Sequence, residues 1–346
     1  MFQLIRKTNI DFLGKRYIAY LVSGTLITLG IIALIQVMRG HANLGIDFEG
    51  GSMVQLRFSP PLEKDPTTAL SSMREALTRN KLAQCEVQSL LRPQGAQAND
   101  SSDMLVRLRR SDLAVGQAGA TIRAICSREF PKYEFVAKGE KGAPGISTIE
   151  VMSSQEVGPA VGKSLRKDAV NAILASMILL FLYIWFRFDP RFGVGAVVAT
   201  LHDVMAVLGV FWIANKEVNL LLVTSLLTLA GYSLTDTVVV FDRIRENLKL
   251  RRKDTYNVIF NASINEVLSR TIVTSTTVFL VCVALYVFGS PVTRDFALAL
   301  GMGVIVGTYS SIFVASPVVV EIENYRHRKA GGSAAAKPSP PAPAAP

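Results

Sequence analysis

Two carboxylates and one guanidinium stand where the chain is otherwise apolar. Asp236 falls within the stretch Val218–Phe241. Asp203 and its neighbour His202 fall within Phe192–Ala214, and Arg270 heads Thr271–Gly289. An ionisable side chain in such a setting is costly in hydrocarbon and is kept where it pairs, relays a proton or lines an ion path. At about 1.5 Å per helical residue, Asp203 lies roughly 20 Å and Asp236 roughly 30 Å from the turn at Lys216. Arg270 stands as far from the turn at Ser290 as Asp236 does from Lys216, so the two share a depth. Thr274 and Thr277 follow Arg270 at i+4 and i+7, while Ser233 and Tyr232 precede Asp236 at i−3 and i−4. These offsets share a helix face, and together they predict a polar seam between two helices. A carboxylate between an arginine and hydroxyls in low dielectric is subject to large opposing effects. Such a group can take up and release a proton as its surroundings change. A second reading also stands: Asp236 and Arg270 form a fixed ion pair that only orients helices. His202 and Asp203 read most simply as hydrogen-bonded locally or to a neighbouring helix.

The elements that position these groups follow from composition. Of 346 residues, 50% are apolar and 18% charged, against about 25% charged in a typical soluble domain. Crossing the hydrocarbon takes roughly 20 apolar residues. Six stretches qualify: 17–38, 169–186, 192–214, 218–241, 271–289 and 296–320. The first is too long for a signal peptide and ends in IQVMRG, not in a small-residue cleavage site. Lys and Arg crowd residues 1–16, the turn after the second span, the basic stretch 242–270 and the segment 321–346. The positive-inside rule therefore places both termini in the cytoplasm and residues 39–168 outside, despite the opposing cluster Lys163, Arg166 and Lys167. Tyr183, Trp185 and Phe186 mark the inner interface of the second span. The net charge of +10 is thus a topology signal, and no basic–aromatic surface for nucleic acid accompanies it. The segment 321–346 reads as a disordered tail, Ala/Pro-rich from Ala330.

The external segment 39–168 alternates strand and helix signals. In GSMVQLRF, Val54, Leu56 and Phe58 alternate with Met53, Gln55 and Arg57. PTTALSSMREALTRN reads as a helix with proline at its first position. CEVQSLL, DMLVRLR, YEFVA and STIEVM read as strands, with a second helix near 113–130. The order βαββαβ plus one strand predicts a ferredoxin-like α+β domain. Cys85 and Cys126 lie here, either paired as a disulfide, which an external location allows, or as two buried thiols. Cys282 reads as a packing residue. There is no nucleophile–base pair, phosphate loop or metal-ligand spacing. The chain is read as no enzyme, and as needing no cofactor other than a coupling ion, proton or sodium.

In the last span Gly303, Gly307, Ser311 and Ala315 recur every fourth residue, a stripe that lets helix backbones approach closely. Pro317 is placed to bend the inner end. At this point familiar motifs accumulate. LGIDFEGG (44–51), with Gly45, Asp47, Gly50 and Gly51, resembles the signature of the SecD/SecF family within the resistance–nodulation–division superfamily. VGPAVG (157–162), GYSLTDTVVVFDRIREN (231–247), NASINEVLSRTIVTSTT (261–277) and GTYSSIFVASP (307–317) resemble later motifs of that family, in the right order. The resemblance implies a six-helix half-transporter in the bacterial inner membrane, paired with a homologous half, SecD. It further implies association with the SecYEG channel and YajC, and use of the proton gradient to draw preproteins outward. The family's ion-linked aspartate and arginine fall on Asp236 and Arg270, with Thr274 one turn on. Two rival readings are a small-molecule or lipid exporter of the same superfamily and a non-transporting assembly scaffold.

Overall fold

The structure is a computed structural model that describes residues 8–63, 65–80, 82, 85–90, 101–109, 116–136, 146–251 and 253–331. The chain begins with helix α1 (Arg16–Arg39), a single turn α2 (Ile46–Glu49) and strand β1 (Gly51–Ser59). Next come α3 (Pro66–Arg79), β2 (Cys85–Leu90), β3 (Ser102–Arg109), α4 (Ala118–Glu129), β4 (Tyr133–Val136) and β5 (Ser147–Val157). The remainder is helical: α5 (Pro159–Arg187), α6 (Pro190–Ile213), α7 (Leu220–Leu250), α8 (Tyr256–Phe288), α9 (Pro291–Ser310) and α10 (Ser316–Gly331). A π-helical turn, Ser311–Ala315, joins the last two into one continuous span. Among the described residues, six helices are thus long and apolar enough to cross a membrane.

Local chemistry starts these helices where they start. Proline occupies the first turn of α3, α5, α6 and α9, where a missing N–H costs nothing. The side chains of Asp65, Asn219 and Ser290 accept from otherwise unpaired N–H groups of α3, α7 and α9. The stretch 242–270, read from its charges as a loop, is mostly helix: α7 runs on to Leu250 and α8 opens at Tyr256. Charge ends the apolar span without ending the helix. Asn247 donates to Ser263 Oγ and Glu266, both at 2.9 Å, and ties the two extensions together. The tail read as disordered begins as helix, because α10 carries the last span on to Gly331, and 332–346 lie outside the described residues.

The sheet runs β2-β3-β1-β5-β4, antiparallel except for the pair β4–β5. Val54, Leu56 and Phe58 are fully buried, and they meet Met73 and Leu77 of α3 and Ile122 and Cys126 of α4. Both helices cover that one face. Cys85 and Cys126 are free thiols, and burial pushes Cys126 up to about 12. The other face carries Met53, Gln55, Arg107 and Gln155 and borders, with the α6–α7 connection, a cleft of about 350 Å³.

Within the helical part, α6 is packed by α1, α5, α7 and α9. Close approach depends on missing side chains. A Cβ on Gly209 would sit 2.8 Å from the Gly30 nitrogen, so α1 and α6 cross backbone to backbone. A Cβ on Gly303 would meet Leu229 at 2.5 Å, and one on Gly307 would meet Ser233 Cβ at 3.2 Å. The small-residue stripe therefore seats α9 on α7.

Candidate functional site

Asp236 is buried on α7 at the boundary with α8. Its Oδ2 accepts from Ser275 Oγ at 3.2 Å. Ser275 in turn accepts from Tyr232 at 3.4 Å and from Thr308 of α9 at 2.6 Å. Three helices thus converge on one carboxylate through one serine. Arg270 acts on Asp236 through its charge, but no nitrogen–oxygen pair of the two lies within the 4.0 Å of an ion pair. The fixed salt bridge is not formed.

The predicted seam is redrawn in two places. Thr274 and Thr277 face outward, donating to the Arg270 and Thr274 carbonyls at 2.9 and 2.7 Å. Arg270 shares that exposed face. Helix α8 is rotated so that Ser275, not its neighbours, points at α7. Ser233 also leaves the seam: three residues before Asp236, it donates instead to Asp203 of α6. Tyr232 stays, through Ser275.

Asp203 and His202 make a second, fully buried cluster. His202 Nδ1 lies 2.9 Å from Asp203 Oδ1. Oδ2 receives the hydroxyls of Ser233 and, at 2.8 Å, of Ser310. The Gly307 backbone comes close to that oxygen: an added Cβ would stand 3.6 Å away. The expected hydrogen bonds, local and to neighbouring helices, are both present. Pro317 explains the π turn nearby, because its missing N–H breaks the regular ladder. Ser316 Oγ fills in by donating to the Ser311 carbonyl at 3.0 Å, five residues back.

The LGIDFEGG segment serves as a joint. Asp47 Oδ2 accepts from the Leu220 N–H at 3.0 Å, at the N-terminus of α7, where negative charge is favoured. Gly45 N–H donates to the Val218 carbonyl at 2.9 Å, and Val218 N–H to that of Asn43 at 2.8 Å. Gly50 and Gly51 have φ of 80° and 137°, which side chains disfavour. A Cβ on Gly50 would meet Pro159 Cα at 2.9 Å, and one on Gly162 would meet the Gly50 nitrogen at 3.0 Å. The two glycine-rich motifs flanking the sheet domain therefore interlock. Two features escaped spacing arguments. Arg107 of β3 pairs with Glu86 at 3.2 Å and with Glu217 of the α6–α7 connection. Asn261 and Asn265 of α8 clamp the backbone of Ile10 and Phe12 at 2.8–2.9 Å. An Asn at each end of NASIN was the available signal.

Among the described residues no group of His, Cys, Asp or Glu could hold a metal ion. The arrangement offers instead two buried carboxylates, each tied by hydroxyls to several helices.

Residues 140–325 match the family described as "Protein export membrane protein SecD/SecF, C-terminal", and residues 42–62 match the SecD/SecF GG motif. The protein translocase subunit SecF of Thermodesulfovibrio yellowstonii is 45% identical, over 92% of this chain and 97% of its own length. The SecDF translocase subunit of Brucella abortus is 36% identical over 91% of this chain, which spans 37% of that longer protein. The crystal structure of SecDF from Thermus thermophilus, a translocon-associated membrane protein, superposes with a TM-score of 0.72 at 32% identity. The match covers 92% of this chain and 39% of that one. A multi-pass chain with these motifs in place belongs to the SecD/SecF family of protein-export membrane proteins.

Proposed function

We propose that this chain works as one half of an ion-driven translocase, with Asp236, Arg270 and Thr274 at its coupling site. The observation that carries the reading is the state of Asp236: buried, held by one serine hydroxyl, near a cation but not locked to it. In low dielectric, unpaired charge is expensive. A proton arriving at Asp236 would therefore change how tightly α7, α8 and α9 hold together through Ser275. A ligand shifts conformation only if it binds two states differently, and here the bound proton removes the charge that Arg270 attracts.

The exposed face beside the site suggests the partner. Thr224, Thr228, Gly231 and Thr235 on α7 and Arg270, Thr274 and Thr277 on α8 face outward. Hydroxyls, a glycine and a guanidinium suit another helix bundle better than lipid tails. The Brucella relative unites SecD and SecF in its name, in keeping with a SecD-like half covering this face. In the full reading the pair sits in the bacterial cytoplasmic membrane with both termini inside. It associates with SecYEG and YajC and uses the proton gradient to promote late translocation and release of preproteins outside. The external domain is then a ferredoxin-like βαββαβ unit in which the added strand β5 takes the place beside β1. The chain acts as a transport component and not as an enzyme.

The test is Asp236→Asn in membrane vesicles. Gradient-stimulated release of an exported protein is expected to vanish while assembly with the partner half persists. Stimulation that survives unchanged removes Asp236 from the coupling path.

A further inference from the structure

The His202–Asp203 cluster has no part in the Asp236 seam, although among the described residues no ionisable pair in the helical part is better buried. Its hydrogen bonds are nearly saturated. Asp203 Oδ1 faces His202 Nδ1, and Oδ2 faces two hydroxyls. A carboxylate surrounded by donors leaves the proton of the Nδ1···Oδ1 contact on nitrogen. His202 Nε2 is different: it is buried and has no hydrogen-bond partner. A buried polar atom without a partner is rare and costly. Nε2 is the one atom of the pair where a further proton can be accepted.

The charge balance makes that proton consequential. With Nε2 unprotonated, the pair carries one net negative charge in an apolar bundle. With Nε2 protonated, it becomes an imidazolium–carboxylate pair with no net charge, but its new N–H needs an acceptor. The neighbouring ring is Tyr309, 6.1 Å away between centroids. Its hydroxyl donates to the Ala19 carbonyl at 2.9 Å and lies 3.0 Å from Ser23 Oγ, both on α1. Tyr309 also sits just before the π turn, an irregular register of a kind that concentrates at functional sites. The groups facing the pair are thus Ser233 from α7, Tyr309 and Ser310 from α9, and the α1 groups behind Tyr309. Asp236 and Arg270 face the α7–α8 seam instead. Among the described residues no lysine, arginine or second carboxylate reaches ion-pair distance of His202 or Asp203.

We propose that His202 and Asp203 form a second proton-binding site, separate from the Asp236 seam, which takes up and releases one proton at His202 Nε2. Occupancy of Nε2 changes what Tyr309 must satisfy, and so links the proton to the contact between α1 and the last span. Ser233 and Asp236 lie three residues apart on α7, so one helix carries a contact of each site. The inference rests on the reading of the chain as an ion-driven transport subunit.

The test begins without a substitution. In the complex of both halves, with the imidazole nitrogens labelled by nitrogen-15, His202 is expected to titrate between neutral and cationic forms within the pH range where gradient-stimulated release operates. In vesicles, His202→Gln should flatten the pH profile of stimulated release while assembly persists. A His202 ring fixed in one protonation state across the range overturns the proposal, as does an unaltered pH profile in His202→Gln. Stimulation that survives Asp236→Asn would sink the Asp236 assignment instead, and the His202 titration reads independently of it.

Discussion

Asp65 caps α3 with both carboxylate oxygens, which accept from the Thr67 and Thr68 N–H groups at 3.4 and 3.3 Å. The Thr68 hydroxyl holds the carboxyl below its ordinary range against an opposing desolvation, and the Thr67 and Thr68 N–H groups add to its effect. A folded-state value below the unfolded one means the cap stabilises above the unfolded range near about pH 4. That contribution disappears as pH falls through the folded value. Asp65→Asn should therefore melt lower than the parent at neutral pH, with the gap closing in acid. Thermal unfolding of the full chain across pH reads this, and a gap that widens in acid contradicts it. The same scale shows what spacing could settle around the site. Asp236 and Arg270 were legible because charge in an apolar run is conspicuous. Ser275 was not, because a lone serine is cheap in a helix, and only the rotation of α8 decides between it and Thr274. Ser233 was expected in the seam beside Asp236 but turns to Asp203 of α6, whose position no offset along α7 can reveal.

At the scale of elements, the joints between sheet and bundle are the places where small changes should tell. Gly51 has φ of 137°, and a Cβ there would run into the Leu108 carbonyl oxygen of β3. Gly51→Ala should destabilise the sheet domain by more than about 1 kcal/mol, seen as faster hydrogen exchange in β1 and β3; unchanged exchange contradicts the strain. Arg107 and Glu217 tie β3 to the α6–α7 connection, with side chains 5% and 14% exposed. Removing one member of a buried pair costs about 3–5 kcal/mol when the other charge is stranded; Arg107 keeps Glu86 at 3.2 Å, so the loss on removing Glu217 falls short of that. Glu217→Gln should thus loosen the domain, and Arg107→Met with Glu217→Met should recover most of the loss. A double variant as loose as the single one would show that the pair gives more than charge balance. The six long helices were legible because hydrocarbon thickness demands length, and the Val54–Leu56–Phe58 alternation because a sheet has two faces. The placement of β5 beside β1 and the Gly30–Gly209 crossing depend on contacts between distant segments, which local patterns do not carry.

At the scale of the molecule, helices α6 and α7 hold the two buried carboxylates. The α6–α7 connection reaches the sheet domain through Arg107–Glu217, Asp47 and the Leu44–Val218 bridge. A change in charge inside the bundle therefore has a short mechanical route to the sheet domain. The central claim is that a proton visits Asp236 during work, and proton movement tests it more directly than export does. Purified complex of both halves would be placed in sealed vesicles, and proton entry followed under an imposed gradient with a translocating chain present. Substrate-dependent proton entry is expected with the parent chain and is expected to be lost in Asp236→Asn, with the complex still assembled. Equal entry through the variant would contradict the claim and leave Asp236 a structural residue of the α7–α8 seam.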